Sequence, residues 1–528
     1  MSRFAGRFAG AVRRPLAWAD ARLNALYGWE LNPLYHSGVL AASLFAVVLI
    51  TGIYLLVFYR IGSPYASVAR ITNDVFLGSF MRSLHRYASD AAVVAGVAHM
   101  FRMYAQRRSW GPRTLAWVSG LVLLGVLFVC GWTGYVMVWD VQGEVIAREG
   151  ARWMDLLPLF SEPISRTFVG ERPIPSAFFF VNLFAHAALP LGLGVVLWLH
   201  VSRLARPVLV PPRRLLWGSV VLLSLASVVV PVTMAPAADV LRLPGRAPYD
   251  VFFAFFLPLT RPLPPLVVWL AGAAVAAAVV MVPAWSRAKV GQEPPPSVVD
   301  EMLCTGCEQC YVDCPYEAIA MVPRSDPADP RSALVARVDA DLCTSCGICA
   351  GSCAPMGVGP PGRTGRDQLA RVGGFVAAHP AEPREVVIVA CERGAGGVGA
   401  LATFDGAPVY AVSCAGNLHS SVIEYCVRAG VGGVLVVACP PRDCWNREGA
   451  KWLEQRLFHD REAELKPRVD RRRVRLQCAA EGERAVVRAA LAAFRAAVRR
   501  LEEAAAEQDI DIERECVEDY AAEQAGAR

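Results

Sequence analysis

The sequence predicts a multidomain protein: an all-α transmembrane helix bundle of about six spans, then a small α+β cysteine-rich domain, then an α/β domain built on a parallel sheet. Three observations carry this reading. Up to Trp285 the chain is dominated by long apolar runs, and beyond it charge, glycine and cysteine rise sharply. Fifteen of the sixteen cysteines lie after residue 300, eight of them in one doubled spacing. From residue 384 onward, β-branched runs that end in cysteine alternate with helical stretches.

The 528 residues leave room for about three or four domains. Their hydrophobic share of 55% is high, and their charged share of 19% low, for a soluble protein, and mean hydropathy is +0.36. The net charge of +6 makes no case for nucleic acid, which is not an expected partner. The expected divisions are an amphipathic cytoplasmic N-terminal segment (1–37), the bundle (38–286), a linker (287–300) with Glu293-Pro294-Pro295-Pro296, the cysteine-rich domain (301–358), the sheet domain (384–498) and a helical tail (499–528). Clustered CxxC spacing beside a membrane segment argues for metal sites in a reducing compartment, not a secreted disulfide framework. The first thirty residues carry Arg3, Arg7, Arg13, Arg14 and Arg22 without a continuous apolar core. They do not read as a cleavable signal peptide; they read as a segment lying along the membrane surface, with a disordered tail as the plain alternative.

Crossing the hydrocarbon core takes about 20 apolar residues. The stretches 38–58, 85–104, 115–139, 177–204, 215–235 and 264–285 approach that length, and Pro190 predicts a kink in the fourth. The loop between spans two and three holds Arg102, Arg107, Arg108 and Arg113, and that between four and five holds Arg203, Arg206, Arg213 and Arg214. The segment 140–172 instead mixes Asp140, Glu144, Asp155, Glu162 and Glu171 with its arginines. The positive-inside rule then puts both termini and the cysteine-rich domains of a multi-pass inner-membrane protein in the cytoplasm.

Span two carries His85 and His99, and span four His186 and His200, each pair 14 residues apart. That is nearly four turns, so each pair shares one helix face about 21 Å apart. Two helices presenting such pairs can clamp two stacked haems, each iron taking one imidazole from each helix. Gly38 and Gly52 in span one, and Gly120 and Gly134 in span three, repeat the spacing. Glycine lets a flat macrocycle approach the backbone, although glycine in membrane helices also serves plain packing. Arg82 and Arg102 lie three residues outside His85 and His99, where each could pair with a haem propionate.

These residues resemble the cytochrome b of quinol-oxidising bc-type complexes, particularly the chloroplast and cyanobacterial form. The likeness spans residues 30–285. It includes Arg82-Ser-Leu-His85-Arg86, Pro112-Arg113-Thr-Leu-Ala-Trp117-Val-Ser-Gly120, Thr133-Gly134-Tyr135 with Trp139-Asp140, and His186-Ala-Ala-Leu-Pro190-Leu. The resemblance implies that His85 and His186 bind an outer haem b, and His99 and His200 an inner one. The family's Pro-Glu-Trp-Tyr loop is replaced by Pro248-Tyr249-Asp250-Val251-Phe252-Phe253. Asp250 is there the candidate proton acceptor for a quinone, against a solvated loop acid. His36 stands where the chloroplast form has the cysteine of a third, covalent haem, so that haem is not expected.

Cys304, Cys307, Cys310 and Cys314-Pro315 recur as Cys343, Cys346, Cys349 and Cys353. This is the bacterial two-cluster ferredoxin spacing, in which the fourth cysteine ligates the other cluster. One [4Fe–4S] cluster is assigned to Cys304, Cys307, Cys310 and Cys353, and the other to Cys343, Cys346, Cys349 and Cys314. Zinc is the bland alternative for CxxC pairs. The second repeat departs from the pattern in reading Cys353-Ala-Pro355.

Val386–Cys391, Pro408–Cys414 and Gly433–Cys439 read as buried strands, separated by helical segments such as Ser421–Arg428 and Gly449–Phe458. Ligands favour the carboxyl edge of a parallel sheet, so Cys391, Cys414 and Cys439 should converge there, with Cys444 on the following turn. Four thiolates suffice for a [2Fe–2S] cluster, although strand-end cysteines are sometimes only buried hydrophobes. Residues 384–498 look like the delta subunit of methyl-viologen-reducing hydrogenase, through Ser413-Cys414-Ala-Gly416 and Ala438-Cys439-Pro440-x2-Asp443-Cys444. That family usually has a CxxC in the first strand; here Cys391 is followed by Glu392, Arg393 and Gly394. Cys478 ends a fourth predicted strand as a reserve ligand, and Cys426 and Cys516 have no assigned role.

The expected protein is a membrane-bound electron-transfer subunit. It would carry electrons between a cytoplasmic flavoprotein, implied by the hydrogenase resemblance, and the quinone pool. Its carriers would be one [2Fe–2S], two [4Fe–4S] and two b haems, and the cytochrome resemblance allows a homodimer. An electron-relay anchor without its own quinone site, and the core cytochrome of a bc-type quinol-oxidising complex, are the alternatives. No P-loop and no nickel-site cysteine pairs occur, and NAD binding and hydrogen activation are not expected of this chain.

Overall fold

The computed structural model describes residues 3–526, apart from 107, 159–161, 170–173, 203–205, 243–246, 287–293, 327–328 and 380–384; side chains are also undescribed for 3–9, 112 and 506–526. Arg107, Arg203, Glu171 and Glu293, and the side chains of Arg3, Arg7 and Cys516, lie outside the described residues. The chain forms two compact units, Met1–Arg13 with Glu30–Lys289, and Arg14–Trp29 with Val290–Arg528.

The first unit is helical. After α1 (Arg3–Tyr27), whose residues from Arg14 onward belong to the second unit, come α2 (Ser37–Phe58), α3 (Pro64–Asn73), α4 (Gly78–Ala105), α5 (Thr114–Val138), α6 (Val141–Met154), α7 (Ser176–Ser202) and α8 (Arg213–Val229), then the helix Pro265–Val280. Among the described residues, α2, α5 and α7 are long and apolar enough to cross a membrane. The 28-residue α4 is as long, but carries Arg82, Arg86, Asp90 and Arg102. Helix α8 and the helix Pro265–Val280 have 17 and 16 residues. Each predicted span thus falls on a helix, and α7 continues as one helix through Pro190. The short α3 and α6 were not predicted, because their mixed polar and apolar faces give no long apolar run. Asp140 starts α6 by accepting from the Gly143 amide (2.9 Å), a cap of the ordinary kind. Helix α2 packs along α4 and α5 along α7, and these two pairs build the centre of the bundle.

Among the described residues, the second unit contains two short antiparallel pairs and one five-stranded sheet. The strands are β1 (Val298–Val299), β2 (Ile319–Pro323), β3 (Leu334–Val338), β4 (Val358–Gly359), β5 (Val386–Cys391), β6 (Thr403–Phe404), β7 (Ala407–Val412), β8 (Gly433–Ala438) and β9 (Val474–Cys478). Strands β1 and β4 pair, as do β2 and β3, around the cysteine repeat. The large sheet has the order β6-β7-β5-β8-β9, parallel throughout except for the edge strand β6. Every residue of β5 and β8 is buried. Strands covered on both faces read as continuous apolar runs, which is why they were legible as strands. Each fully buried Val or Leu contributes about 1.5–3 kcal/mol. The long helix Arg484–Gly526 covers the sheet with Val487, Leu491, Phe494 and Val498. Asn24 of α1 donates to Glu483 in this unit (3.0 Å).

Candidate redox centres

In the helical unit the four predicted histidines each face a predicted glycine. A Cβ added at Gly38 would lie 2.8 Å from Cε1 of His99, and one at Gly52 would lie 3.2 Å from Cε1 of His85. On the other helix pair, a Cβ at Gly120 would lie 3.3 Å from Cε1 of His200, and one at Gly134 3.0 Å from Cε1 of His186. Any side chain at these positions would push an imidazole aside. The rings of His85 and His186 have centroids 6.2 Å apart, which leaves room for one metal ion at about 2 Å from each ring. His99 faces His200 as the second pair.

Three hydroxyls that the sequence reading missed fix the imidazoles. Nδ1 of His85 lies 3.0 Å from Thr51 Oγ1 and 3.1 Å from the Val48 carbonyl. Nδ1 of His186 lies 3.1 Å from Thr133 Oγ1 and 2.9 Å from the Cys130 carbonyl. Nδ1 of His200 lies 3.0 Å from Ser119 Oγ. Each hydroxyl donates its own proton one helical turn back, to Val47, Val129 or Leu115, so each Nδ1–H is the donor. That leaves Nε2 as the nitrogen for a metal. The signal was present, since a Ser or Thr precedes each of the four glycines: Ser37, Thr51, Ser119 and Thr133. The imidazoles, their spacing and the glycine clearance therefore fit two haems.

Arg82 and Arg102 are engaged with the protein. Arg82 donates to the Val232 and Thr233 carbonyls (2.7 and 3.3 Å), and the Arg102 guanidinium stands 4.5 Å over the Tyr35 ring. His36 is buried, with Nε2 at 2.9 Å from the Glu30 carbonyl. Asp250 is buried and accepts from Tyr135 (2.7 Å), Arg86 (2.7 Å) and the Phe253 and Ala254 amides (2.6 and 2.7 Å). Burial alone would raise its pKa, but these donors outweigh burial and hold it below the usual carboxylate range.

In the second unit, Cys304, Cys307, Cys310 and Cys353 line one cavity together with Val299, Met321 and Val358. Cys314, Cys343, Cys346 and Cys349 form the other group of interacting thiols. The 39-residue repeat is visible in the backbone: Gly306 and Ser345, Glu308 and Gly347, and Glu317 and Met356 all take positive φ. Amide donors reach the sulfurs at equivalent places, Ala318 to Cys314 and Gly357 to Cys353, both at 3.3 Å. Burial pushes the Cys349 thiol up to about 12. Buried, crowded thiols ionise together only when a cation neutralises them, so each set has the chemistry of a multi-iron centre, while among the described residues no three such groups are arranged around a single metal ion.

At the carboxyl edge of the sheet, Cys391 and Cys439 approach to 3.9 Å, and Cys414 lies beside Cys444. Contact with its neighbour and then burial push the thiols of Cys439 and Cys444 well up. Two glycines abut these sulfurs. A Cβ at Gly394 would lie 2.8 Å from Cys439 Sγ, and one at Gly449 2.7 Å from Cys414 Sγ. Gly394 stands where the resemblance would have a second cysteine, and the Cys439 sulfur lies against it. Cys478 ends β9 and feels Cys444. Cys426 is a fully buried member of the sheet core. Ile348, between Cys346 and Cys349, packs with Cys414 and Trp452, and Cys346 adjoins that cluster. The second cysteine group and the sheet-edge group are thus neighbours across one isoleucine.

The fold and these sites resemble those of a membrane electron-transfer protein: a bundle like cytochrome b/b6, followed by a region like the 4Fe-4S dicluster domain and one like the delta subunit of a hydrogenase. Three family models match in that order: Cytochrome b/b6/petB over residues 24–233, the 4Fe-4S dicluster domain over 303–357, and methyl-viologen-reducing hydrogenase, delta subunit over 386–502. The menaquinol:cytochrome c reductase cytochrome b subunit of Geobacillus thermodenitrificans is 25% identical over 210 residues, covering 35% of this chain and 94% of that protein. Cytochrome b6 of Mastigocladus laminosus is 29% identical over 174 residues, covering 32% and 81%. A chain of a solved hyperthermophilic respiratory Complex III aligns with TM-score 0.38 and 17% identity, over 47% of this chain and 75% of that one.

Proposed function

We propose that this chain is the quinone-linked membrane subunit of a cytoplasmic redox complex, exchanging electrons with a soluble flavoprotein at its iron–sulfur end. The observation that carries the reading is the paired His–Gly arrangement in the bundle, joined in one chain to three cysteine groups. Haems and iron–sulfur centres supply reversible one-electron transfer when bound. His85 with His186, and His99 with His200, hold two b haems, and Thr51, Ser119 and Thr133 orient three of those ligands. Cys304, Cys307, Cys310 and Cys353 hold one [4Fe–4S] centre; Cys343, Cys346, Cys349 and Cys314 hold the other. Cys391, Cys414, Cys439 and Cys444 hold a [2Fe–2S] centre, and Ile348 is the contact between it and the second [4Fe–4S] group. In this reading the chain crosses the membrane six times, and the arginine-rich loops orient both termini and all cysteine groups toward the cytoplasm.

In this reading Asp250 anchors the loop after α8 by pairing with Arg86, instead of accepting a proton from quinol. That observation favours quinone exchange beside the haems over the quinol-oxidising chemistry of a bc-type core. The test is reoxidation of dithionite-reduced haem in purified membranes. Added quinone should reoxidise it, with sensitivity to quinone-site inhibitors. Haem that stays reduced with quinone present, in membranes holding full haem, would make the chain a relay anchor that passes electrons to another protein.

A further inference from the structure

The helix Gly449–Phe458 carries a cation into the interior of the second unit. Arg456 is 0% exposed. Its guanidinium donates to Ser352 Oγ (2.9 Å) and to the carbonyls of Gly416 (2.8 Å) and Leu418 (3.3 Å). Its Nε is buried without a hydrogen-bond partner. Ser352 donates onward to Asp313 Oδ2 (2.6 Å), and Asp313, itself buried, is ion-paired with Arg461. Asp313 and Ser352 are equivalent in the cysteine repeat, each directly preceding its fourth cysteine, Cys314 and Cys353. Two arginines of the sheet domain therefore close on the seam between the two halves of the repeat, where one carboxylate meets them.

Neutral carbonyls and a hydroxyl bond the Nη donors of Arg456, and Asp313 is shared with Arg461, so its charge is only partly offset, and an under-compensated buried charge opposes folding. Negative charge stands close by on both sides. Cys414 lies within its field, and Ser352 lies between Cys349 and Cys353. A fixed cation stabilises the reduced, more negative form of a neighbouring centre more than the oxidised form. We infer that Arg456 is a charge-tuning residue that raises the reduction potentials of the iron–sulfur centres on either side of it, those of the second ferredoxin group and of the sheet edge. The inference rests on the reading that those cysteine groups hold clusters. Gly351 marks how closely the guanidinium is seated, since a Cβ there would come within 2.6 Å of Arg456 Nη2.

The experiment is an EPR-monitored redox titration of the full chain, purified anaerobically, with iron and sulfide measured on the same samples. R456Q should keep its iron and shift these midpoints downward, R456K should stay near the parent, and D313N should shift them upward. Unchanged midpoints in R456Q with full iron would overturn the inference, as would R456K falling as far as R456Q. If R456Q fails to assemble, D313N and R456K decide, and an unmoved D313N counts against it. A parent chain without cluster iron would fail the functional reading itself, an outcome distinct from all of these.

Discussion

A membrane imidazole earns a ligand role only when its orientation is fixed, and here the fixing groups are small. The Thr133 hydroxyl bonds Nδ1 of His186 while donating to Val129, so the ring cannot turn without losing a bond of about 1 kcal/mol. Replacing Thr133 with Val should retain both haems and shift the midpoint of the one held by His85 and His186, which a potentiometric optical titration reads. H186A should go further and lower haem per chain by about half, measured by pyridine haemochrome. G134V belongs with it, because a bulky side chain in contact with the ring displaces the same ligand. At this scale the histidines, the glycines and the eight cysteines of the repeat were legible from their spacing, and Cys391, Cys414, Cys439 and Cys444 from their places at or just after predicted strand ends. Thr51, Ser119 and Thr133 were overlooked because a hydroxyl inside a membrane helix ordinarily bonds its own backbone, as these also do. Arg456 gave no signal at all: its meaning depends on Ser352 and Gly416, both far away in sequence.

Each long apolar run became a helix, and each buried β-branched run became a strand, because a continuous apolar stretch is compatible with few environments. What periodicity could not show were the amphipathic helices α3 and α6, or what Asp250 meets. Two partners from distant elements and two amides of its own loop decide that residue: Arg86 on α4, Tyr135 on α5, and the Phe253 and Ala254 amides. Breaking a buried ion pair from one side costs about 3–5 kcal/mol. D250N should therefore lower the thermal midpoint of the detergent-solubilised protein. An unchanged midpoint with lost quinone turnover would instead return Asp250 to proton transfer. In the cysteine repeat, crossed ligation makes a sharper forecast. C314S should remove the centre of Cys343, Cys346 and Cys349, about four irons per chain, and leave the cavity group of Cys304, Cys307, Cys310 and Cys353 loaded. Loss of the opposite centre would contradict the crossing.

At the scale of the whole molecule, the chain joins a haem-type bundle to a cysteine-rich unit in which two groups adjoin across Ile348. Domain order was readable from composition and motif spacing. The adjacency at Ile348 was not, because it depends on how the loop after β7 folds back onto the ferredoxin repeat. The central claim, that one polypeptide carries a complete set of one-electron carriers, is tested most directly by composition. The measurement is haem, iron and acid-labile sulfide per chain on anaerobically purified protein, read with the dithionite-reduced optical and EPR spectra. The account predicts about two b haems and about ten cluster irons per chain, with EPR signals of both cluster types. Haem with only about eight cluster irons would remove the sheet-edge centre and the entry point it provides, and zinc in place of iron would contradict the electron-transfer account of the second unit altogether.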